Sequence, residues 1–242
     1  MLSESGGDVM RKLLVSDFDG TLYQDFATTK RNLKAVKKFR EEGNLFVIAT
    51  GQSLFHLREK LKEFPFTFDY LILNHGAVLV DSQFNPIDIS YFSKELVAEI
   101  LNFVAKKEVL TIRLHTWEKE IDQVEDGIVK IMLEFTNKEL ALSIAQELNQ
   151  QFPHQIVCYA LPGVRDILVE VLVANVNKLN QINTILKLED MKEDAVLTVG
   201  DGENDRGMIE AFDGYWIKHG GTYKKAGRDH VCTSVFELLE QQ

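Results

Sequence analysis

The sequence predicts an α/β fold in which a parallel sheet with covering helices is interrupted by a separate α+β unit. Short apolar runs alternate with segments of helical periodicity over residues 12–74, and the same alternation resumes after Val173. Alternating strands and helices are typical of a parallel sheet covered by helices. Between these stretches, strand-like runs alternate apolar and polar residues, which is typical of a sheet with one open face.

The first stretch predicts the order β-α-β-α-β. Its three apolar runs, typical of strands buried on both faces, are KLLVSDF (12–18), LFVIAT (45–50) and YLILN (70–74). The first helix is expected to begin after a cap at Thr28 or Thr29 and to end at Gly43. The second helix is expected to follow a cap at Ser53.

The middle block predicts a hairpin over 77–90 and then an α+β arrangement. Its further elements are a helix over 94–107, strands over 111–115 and 127–135, a helix over 138–151, and strands over 156–161 and 166–173. After it, a helix begins near Lys178 and a buried strand covers Ala195–Gly200. We therefore expect residues 11–78 and 175–242 to form one domain and residues 79–174 to form a second, inserted domain.

Composition and charge exclude several classes of function. The chain has 27 Lys and Arg against 37 Asp and Glu, a net charge of −10, so a general binder of nucleic acids or anionic membranes is not expected. No apolar stretch approaches the roughly 20 residues that span a bilayer, and a signal peptide is not expected. The lone Cys158 and Cys232 fit a reducing cytoplasm. We expect a cytoplasmic protein, either a monomer or a small homo-oligomer.

Four polar sites lie at predicted strand ends or helix starts. They are Asp17-Phe18-Asp19-Gly20-Thr21, Thr50-Gly51-Gln52, Asn177-Lys178, and Gly200-Asp201-Gly202-Glu203-Asn204-Asp205. Ligands of open parallel sheets bind at the carboxyl ends of the strands, so sites that are distant in sequence can meet at one edge.

Each site suits phosphate chemistry, although each also has an ordinary structural interpretation. The two carboxylates of the first site, followed by glycine, allow one to face a ligand and the other to donate a proton, but acidic turns are common. The Thr-Gly pair can offer a hydroxyl and N–H groups to an oxyanion, or it can be a plain strand-to-helix turn. Lys178 opposes the helix dipole unless an anion binds beside it, although such a lysine often points to solvent. The acidic 200–205 segment suits Mg²⁺, and it lacks the order of a calcium loop.

The joint order of these sites resembles the haloacid dehalogenase superfamily of aspartyl phosphotransferases. The insertion lies at the cap position of the Cof-type phosphatases, subclass IIB, and Asn74-His75-Gly76-Ala77 resembles their Asn-Gly-Ala turn with His75 inserted. The resemblance implies a Rossmann-like parallel-sheet core, an inserted α+β cap of the C2B type, and Mg²⁺ as cofactor.

The resemblance also implies roles for individual residues. Asp17 would be the nucleophile, and Asp19 the general acid and base. Mg²⁺ would be held by the carboxylates of Asp17 and Asp201 and by the backbone carbonyl of Asp19. The groups in contact with the phosphoryl group would be Asp17, Gly20, Thr50, Gly51, Lys178 and Asn204. Asp205 would support the site and pair with Lys178.

The cap is expected to cover the site and to supply specificity. Polar candidates on cap strands or turns are Arg113, His115 and Arg165, together with Lys130, Glu134 and Tyr159; a solvated sheet face is the ordinary alternative. Gln52 stands where many relatives carry Arg, which removes a contact to phosphate or cap.

Together these observations predict a Mg²⁺-dependent phosphatase that acts on a small phosphorylated metabolite, with sugar phosphates as the default. A phosphomutase of the same superfamily is the alternative within the class. A phospho-acceptor signalling domain and a non-catalytic metabolite-binding protein are the alternatives outside it.

Overall fold

A computed structural model describes residues 11–162, 167–218 and 230–241, and these form two compact units. The first unit contains residues 11–47, 66–69, 182–218 and 230–241, and the second contains residues 48–65, 70–162 and 167–181. These limits differ from the predicted domain limits at residues 78 and 174, so the inserted domain remains a prediction.

The element bounds are close to those predicted. The strands are β1 (Leu13–Asp17), β2 (Leu45–Ala49), β3 (Tyr70–Leu73), β4 (Val78–Asp81), β5 (Pro86–Ile89), β6 (Thr111–Thr116), β7 (Glu120–Ile121), β8 (Ile128–Phe135), β9 (Ile156–Pro162), β10 (Ile167–Val173), β11 (Val196–Gly200), β12 (Tyr215–Ile217) and β13 (Val231–Cys232). The helices are α1 (Phe26–Glu41), α2 (Leu54–Glu63), α3 (Lys94–Val104), α4 (Lys138–Gln151), α5 (Lys178–Leu188), α6 (Arg206–Ala211) and α7 (Val235–Glu240).

The first unit is built on strands in the order β13-β12-β11-β1-β2. The neighbours β1 and β11 are parallel, with Leu13 opposite Val196, and β11-β12 and β12-β13 are parallel as well. Every residue of β1 is buried, as expected for a strand covered on both faces. The predicted α/β class with a parallel sheet is therefore confirmed.

Helix α1 begins earlier than predicted. Its N-cap is Asp25, whose Oδ1 accepts hydrogen bonds from the backbone N–H groups of Ala27 and Thr28. The predicted cap at Thr28 or Thr29 is wrong, because the hydroxyl of Thr29 instead donates to the carbonyl of Asp25. A carboxylate two or three residues upstream supplies the cap acceptor before either threonine is reached.

The second unit contains two groups of strands. β3, β4 and β5 are consecutive antiparallel neighbours, and β7-β6-β8-β10-β9 form a five-stranded antiparallel sheet. The apolar sides of α3 and α4 pack into one core with this sheet, including Ile100, Ile144 and Leu133. The alternating runs of the middle block thus form an antiparallel sheet covered by helices on one face, but the predicted open face is wrong along β8, where residues 128–133 are all buried.

The hairpin over 77–90 belongs elsewhere than predicted. β4 pairs with β3 along its whole length, so the hairpin extends the β3 neighbourhood rather than the five-stranded sheet. The physical reason is that Val78, Leu79 and Val80 are all fully buried, which is the pattern of a strand covered on both faces. Within the described residues, no helix combines the length and the apolar character that crossing a membrane requires.

Candidate active site

The first acidic turn directly follows β1. Asp17 ends the strand and is 5% exposed, whereas the side chain of Asp19 is exposed. The chain reverses here because the N–H of Tyr23 donates to the carbonyl of Phe18 at 2.8 Å and the N–H of Gly20 donates to the carbonyl of Tyr23 at 2.9 Å. Two carboxylates two residues apart are thereby placed in different environments, one buried and one open to solvent.

Asp201, at the end of β11, lies against this turn. The hydroxyl of Thr21 donates to its Oδ1 at 3.4 Å. Gly20 has φ +79°, and a Cβ at this position would lie 2.5 Å from Oδ2 of Asp201. Glycine is therefore required at residue 20 for two reasons: the backbone there has a positive φ, and Asp201 leaves no room for a Cβ.

Asp205 organises the second acidic segment. It is fully buried, and its Oδ2 accepts hydrogen bonds from the N–H groups of Asp201, at 3.1 Å, and Gly202, at 2.9 Å. Glu203 points away and forms an ion pair with Arg206 at 2.6 Å, while Asn204 lies close to Gly202. The carboxylates of this segment therefore have different partners: Asp205 binds backbone N–H groups, and Glu203 binds the guanidinium of Arg206.

Three carboxylates of the first unit fit a divalent cation. Asp17, Asp201 and Asp205 each offer an oxygen, and these oxygens all lie within 4.8 Å of one another. The donors are oxygen atoms, which suit a hard cation such as Mg²⁺, and the missing side chain of Gly20 makes room for Asp201. Asp205 already accepts two backbone hydrogen bonds, which fits a supporting role beside Asp17 and Asp201.

The Thr50-Gly51-Gln52 segment lies in the second unit, after β2, and its carbonyl oxygens are all bound. The carbonyl of Thr50 accepts from the N–H of His75 at 3.0 Å, and the carbonyl of Gln52 accepts from the N–H of Asn74 at 3.0 Å. The carbonyl of Gly51 accepts from Nζ of Lys130 at 3.1 Å. The hydroxyl of Thr50 accepts from the N–H of Gln52. This segment is therefore fixed by donors from residues 74, 75 and 130.

Lys178 is the first residue of α5 and is 2% exposed, so it does not point to solvent. The Asn74–Gly76 turn packs against this helix start. Gly76 has φ +112°, a Cβ there would lie 3.0 Å from the backbone N of Lys178, and Nε2 of Gln181 donates to the carbonyl of Gly76. Burial raises the pKa of Tyr159, and the nearby charge of Lys178 partly offsets that rise.

The predicted specificity residues differ in their surroundings. Arg113 pairs with Glu134 at 3.2 Å. His115 is 1% exposed, and within the described residues neither of its ring nitrogens has a hydrogen-bond partner. Burial, together with the charge of Lys130, lowers the pKa of His115 to about 3. Arg165 lies outside the described residues.

Sequence reasoning missed Glu170 and gave no role to His75. Glu170 is 6% exposed and binds Nζ of Lys130 at 2.8 Å and Nε2 of His75 at 2.5 Å. Burial alone raises the pKa of Glu170, but the charges of Lys130 and His75 outweigh it and hold that pKa below its usual value. One signal was available, because Glu170 is the sole charged residue in the apolar strand β10, ILVEVLV.

Comparison with known families matches residues 14–121 and 112–235 to the family described as haloacid dehalogenase-like hydrolase. The Bacillus subtilis 5-amino-6-(5-phospho-D-ribitylamino)uracil phosphatase YcsE is 25% identical, covering 95% of this chain and 93% of its own. A Mycoplasma capricolum protein without an assigned function is 23% identical, covering 87% and 92%.

Solved structures show the same fold. A HAD/COF-like hydrolase from Plasmodium vivax superposes with a TM-score of 0.80 at 21% identity, covering 96% of this chain and 95% of its own. A phosphatase of the haloalkanoate enzyme superfamily from Bacteroides thetaiotaomicron superposes with a TM-score of 0.79 at 18% identity, covering 98% and 96%.

Proposed function

Because this chain belongs to the haloacid dehalogenase-like hydrolases and is of their Cof type, we propose that it is a Mg²⁺-dependent phosphatase acting on a small phosphorylated metabolite. The observation that carries the proposal is the buried Asp17 carboxylate beside Asp201, with Asp19 two residues on and exposed. The phosphatase name of the Bacillus subtilis relative supports phosphoric monoester hydrolysis, and its substrate carries a phosphorylated ribityl chain. A sugar phosphate or a similar phosphorylated polyol is the proposed substrate class.

In the proposed reaction, Asp17 attacks phosphorus and forms an aspartyl-phosphate. The bond from phosphorus to the leaving oxygen breaks, and Asp19 gives that oxygen a proton. Asp19 then takes a proton from the water that attacks the aspartyl-phosphate, which releases inorganic phosphate and restores Asp17.

Phosphoryl transfer depends mainly on positioning and on neutralising charge. Asp17 and Asp201 would hold Mg²⁺ with the backbone carbonyl of Asp19, and the bound cation would offset the repulsion between a carboxylate and an anionic phosphoryl group. Lys178 would supply a second positive charge, and Gly20, Thr50, Gly51 and Asn204 would contact the phosphoryl oxygens. Asp205 would keep the 200–205 segment in place through its two backbone hydrogen bonds.

The test is a phosphate-release screen over sugar phosphates, nucleotides and cofactor phosphates with Mg²⁺. Asp17→Asn should abolish release while the protein stays folded, because an amide is a poor nucleophile. Asp122→Asn is the matched control, since Asp122 is an exposed aspartate far along the chain from all four polar sites. Full turnover by the Asp17→Asn protein would refute the mechanism.

The same screen separates the alternatives. Isomerised product without free phosphate would indicate a phosphomutase, and a lasting aspartyl-phosphate without turnover would indicate a phospho-acceptor protein. Chelation of Mg²⁺ should stop phosphate release, and unchanged activity in excess chelator would contradict the metal assignment.

A further inference from the structure

The second unit contains a buried network of three ionisable side chains that the proposed mechanism does not use. Lys130 on β8, Glu170 on β10 and His75 in the Asn74–Gly76 turn are 3%, 6% and 2% exposed. Nζ of Lys130 donates to Oε1 of Glu170 at 2.8 Å, and Oε2 of Glu170 lies 2.5 Å from Nε2 of His75. Burying ionisable groups is costly unless their charges and hydrogen bonds compensate one another, as they do in this network.

Lys130 and His75, the two ends of this network, both contact the Thr50-Gly51 segment. Nζ of Lys130 donates to the carbonyl of Gly51, and the backbone N–H of His75 donates to the carbonyl of Thr50. The ring of His75 also lies directly beside Gly51, because a Cβ at residue 51 would be 2.5 Å from Nε2 of His75. The ring is supported on another side by Tyr159, stacked at 4.9 Å between centroids.

The electrostatic consequence concerns an anion. Carbonyl oxygens repel a phosphoryl group, and those of Thr50, Gly51 and Gln52 are each engaged by a donor of the same unit. Lys130 and Glu170 form an ion pair, so the positive charge of Lys130 at the carbonyl of Gly51 is matched by a carboxylate.

We propose that Lys130, Glu170 and His75 are positioning residues that hold the Thr50–Gly51 segment in the conformation that binds the substrate's phosphoryl group. This inference rests on the proposed phosphatase function and adds to it a device carried by the second unit. The three side chains act through the segment and need not touch the substrate.

The experiment compares the wild-type protein with Lys130→Met/Glu170→Gln. The double variant removes the charges of Lys130 and Glu170 together and keeps similar shapes, so neither of these two side chains is left buried without its partner's charge. The matched control is Lys107→Met/Glu147→Gln, which makes the same changes in a separate ion pair of the second unit. His75→Asn is a second variant, which changes the network at its other end. Asparagine tolerates the positive φ of residue 75.

The measurements are 4-nitrophenyl phosphate hydrolysis, inhibition by inorganic phosphate, and the Mg²⁺ concentration for half activation. We expect kcat/KM to fall about 10- to 100-fold in both test variants, because small displacements of binding groups cost that much. The inhibition constant of inorganic phosphate should rise in parallel, while half activation by Mg²⁺ stays unchanged. Hydrogen exchange of the peptide containing residues 50–52 should be faster than in the wild type.

Each other outcome is decisive. An active wild type with unchanged phosphate inhibition in the double variant would overturn the positioning role and leave the proposed function standing. A lower melting temperature with an unchanged inhibition constant would show a merely structural role. A wild type that neither hydrolyses phosphate esters nor binds phosphate would overturn both proposals.

Discussion

Single residues set the geometry of the acidic cluster, and Gly20 shows how strictly. The carboxylate of Asp201 occupies the space that any side chain at residue 20 would need. The close approach of Asp201 to Asp17 and Asp205 therefore depends on the absence of a Cβ at residue 20. Asp205 contributes through its hydrogen bonds, since it binds the two N–H groups that orient Asp201 and Gly202.

Gly20→Ala should cost stability and weaken Mg²⁺ activation together. The left-handed backbone of an alanine costs about 1–2 kcal/mol, and the new methyl group would displace Asp201. Gly43→Ala is the control, because Gly43 has φ +89° and a methyl group there would meet nothing within 4 Å. Both variants should lose free energy of unfolding, Gly20→Ala the more because of the added clash, whereas the Mg²⁺ concentration for half activation should rise in Gly20→Ala alone. An equal Mg²⁺ requirement in both would contradict the steric role.

Secondary-structure elements of the first unit are joined by buried polar groups as well as by apolar packing. Asn32, on α1, is fully buried and donates to the carbonyl of Leu22, in the acidic turn, at 2.9 Å. Its Oδ1 accepts from the N–H of Phe236 at the start of α7, also at 2.9 Å. One amide of α1 therefore connects the turn after β1 to α7, whose Phe236 lies 204 positions further along the chain.

Asn32→Ala should lower the free energy of unfolding by about 2–3 kcal/mol, since it leaves the buried carbonyl of Leu22 and the part-buried N–H of Phe236 without their partner. Asn102→Ala, at an exposed position of α3, should change it by less than about 0.5 kcal/mol. Urea unfolding of the two variants measures the difference. Similar stabilities for both would show that Asn32 does not connect these elements.

Most elements were predictable because their signal is local. Continuous apolar runs marked β1, β2 and β11, and the predicted bounds of α4 agree with the structure at both ends. The two-residue β7 is too short to show a period. The start of α1 was misjudged because several side chains in succession can cap a helix, and the choice between Asp25 and the threonines depends on the turn that precedes it.

Contacts between distant residues were less accessible from the sequence. The order of the motifs indicated the family and the acidic cluster, but Lys130, Glu170 and His75 are joined by contacts across 40 and 95 positions. A lysine in an alternating strand is ordinarily a solvated residue, and no local pattern indicates that this one reaches Gly51. The pairing of β4 with β3 was missed for the same reason.

At the scale of the whole molecule, acid should destabilise the fold partly through His115. Burial keeps the folded pKa of this residue at about 3, against 6.5 when unfolded, so unfolding takes up a proton between these values. Its contribution to stability is present above about pH 6.5 and is lost as pH falls, by at most about 1.4 kcal/mol per pH unit.

Urea unfolding of wild type and His115→Gln at pH 7 and pH 5 checks this expectation. The wild type should lose more stability on acidification than the variant, because glutamine takes up no proton. Equal losses in the two proteins would mean that His115 titrates normally in the folded state.

The parallel pairing of β1 with β11 also bears on synthesis at the ribosome. β1 leaves the ribosome well before its partner β11, because the paired residues Leu13 and Val196 are 183 positions apart. Until then the edge of an apolar strand has no native partner, and such edges promote association between nascent chains. Translation of mRNAs truncated before the codon of Val196 should therefore yield insoluble protein. Expression of such fragments should then require molecular chaperones.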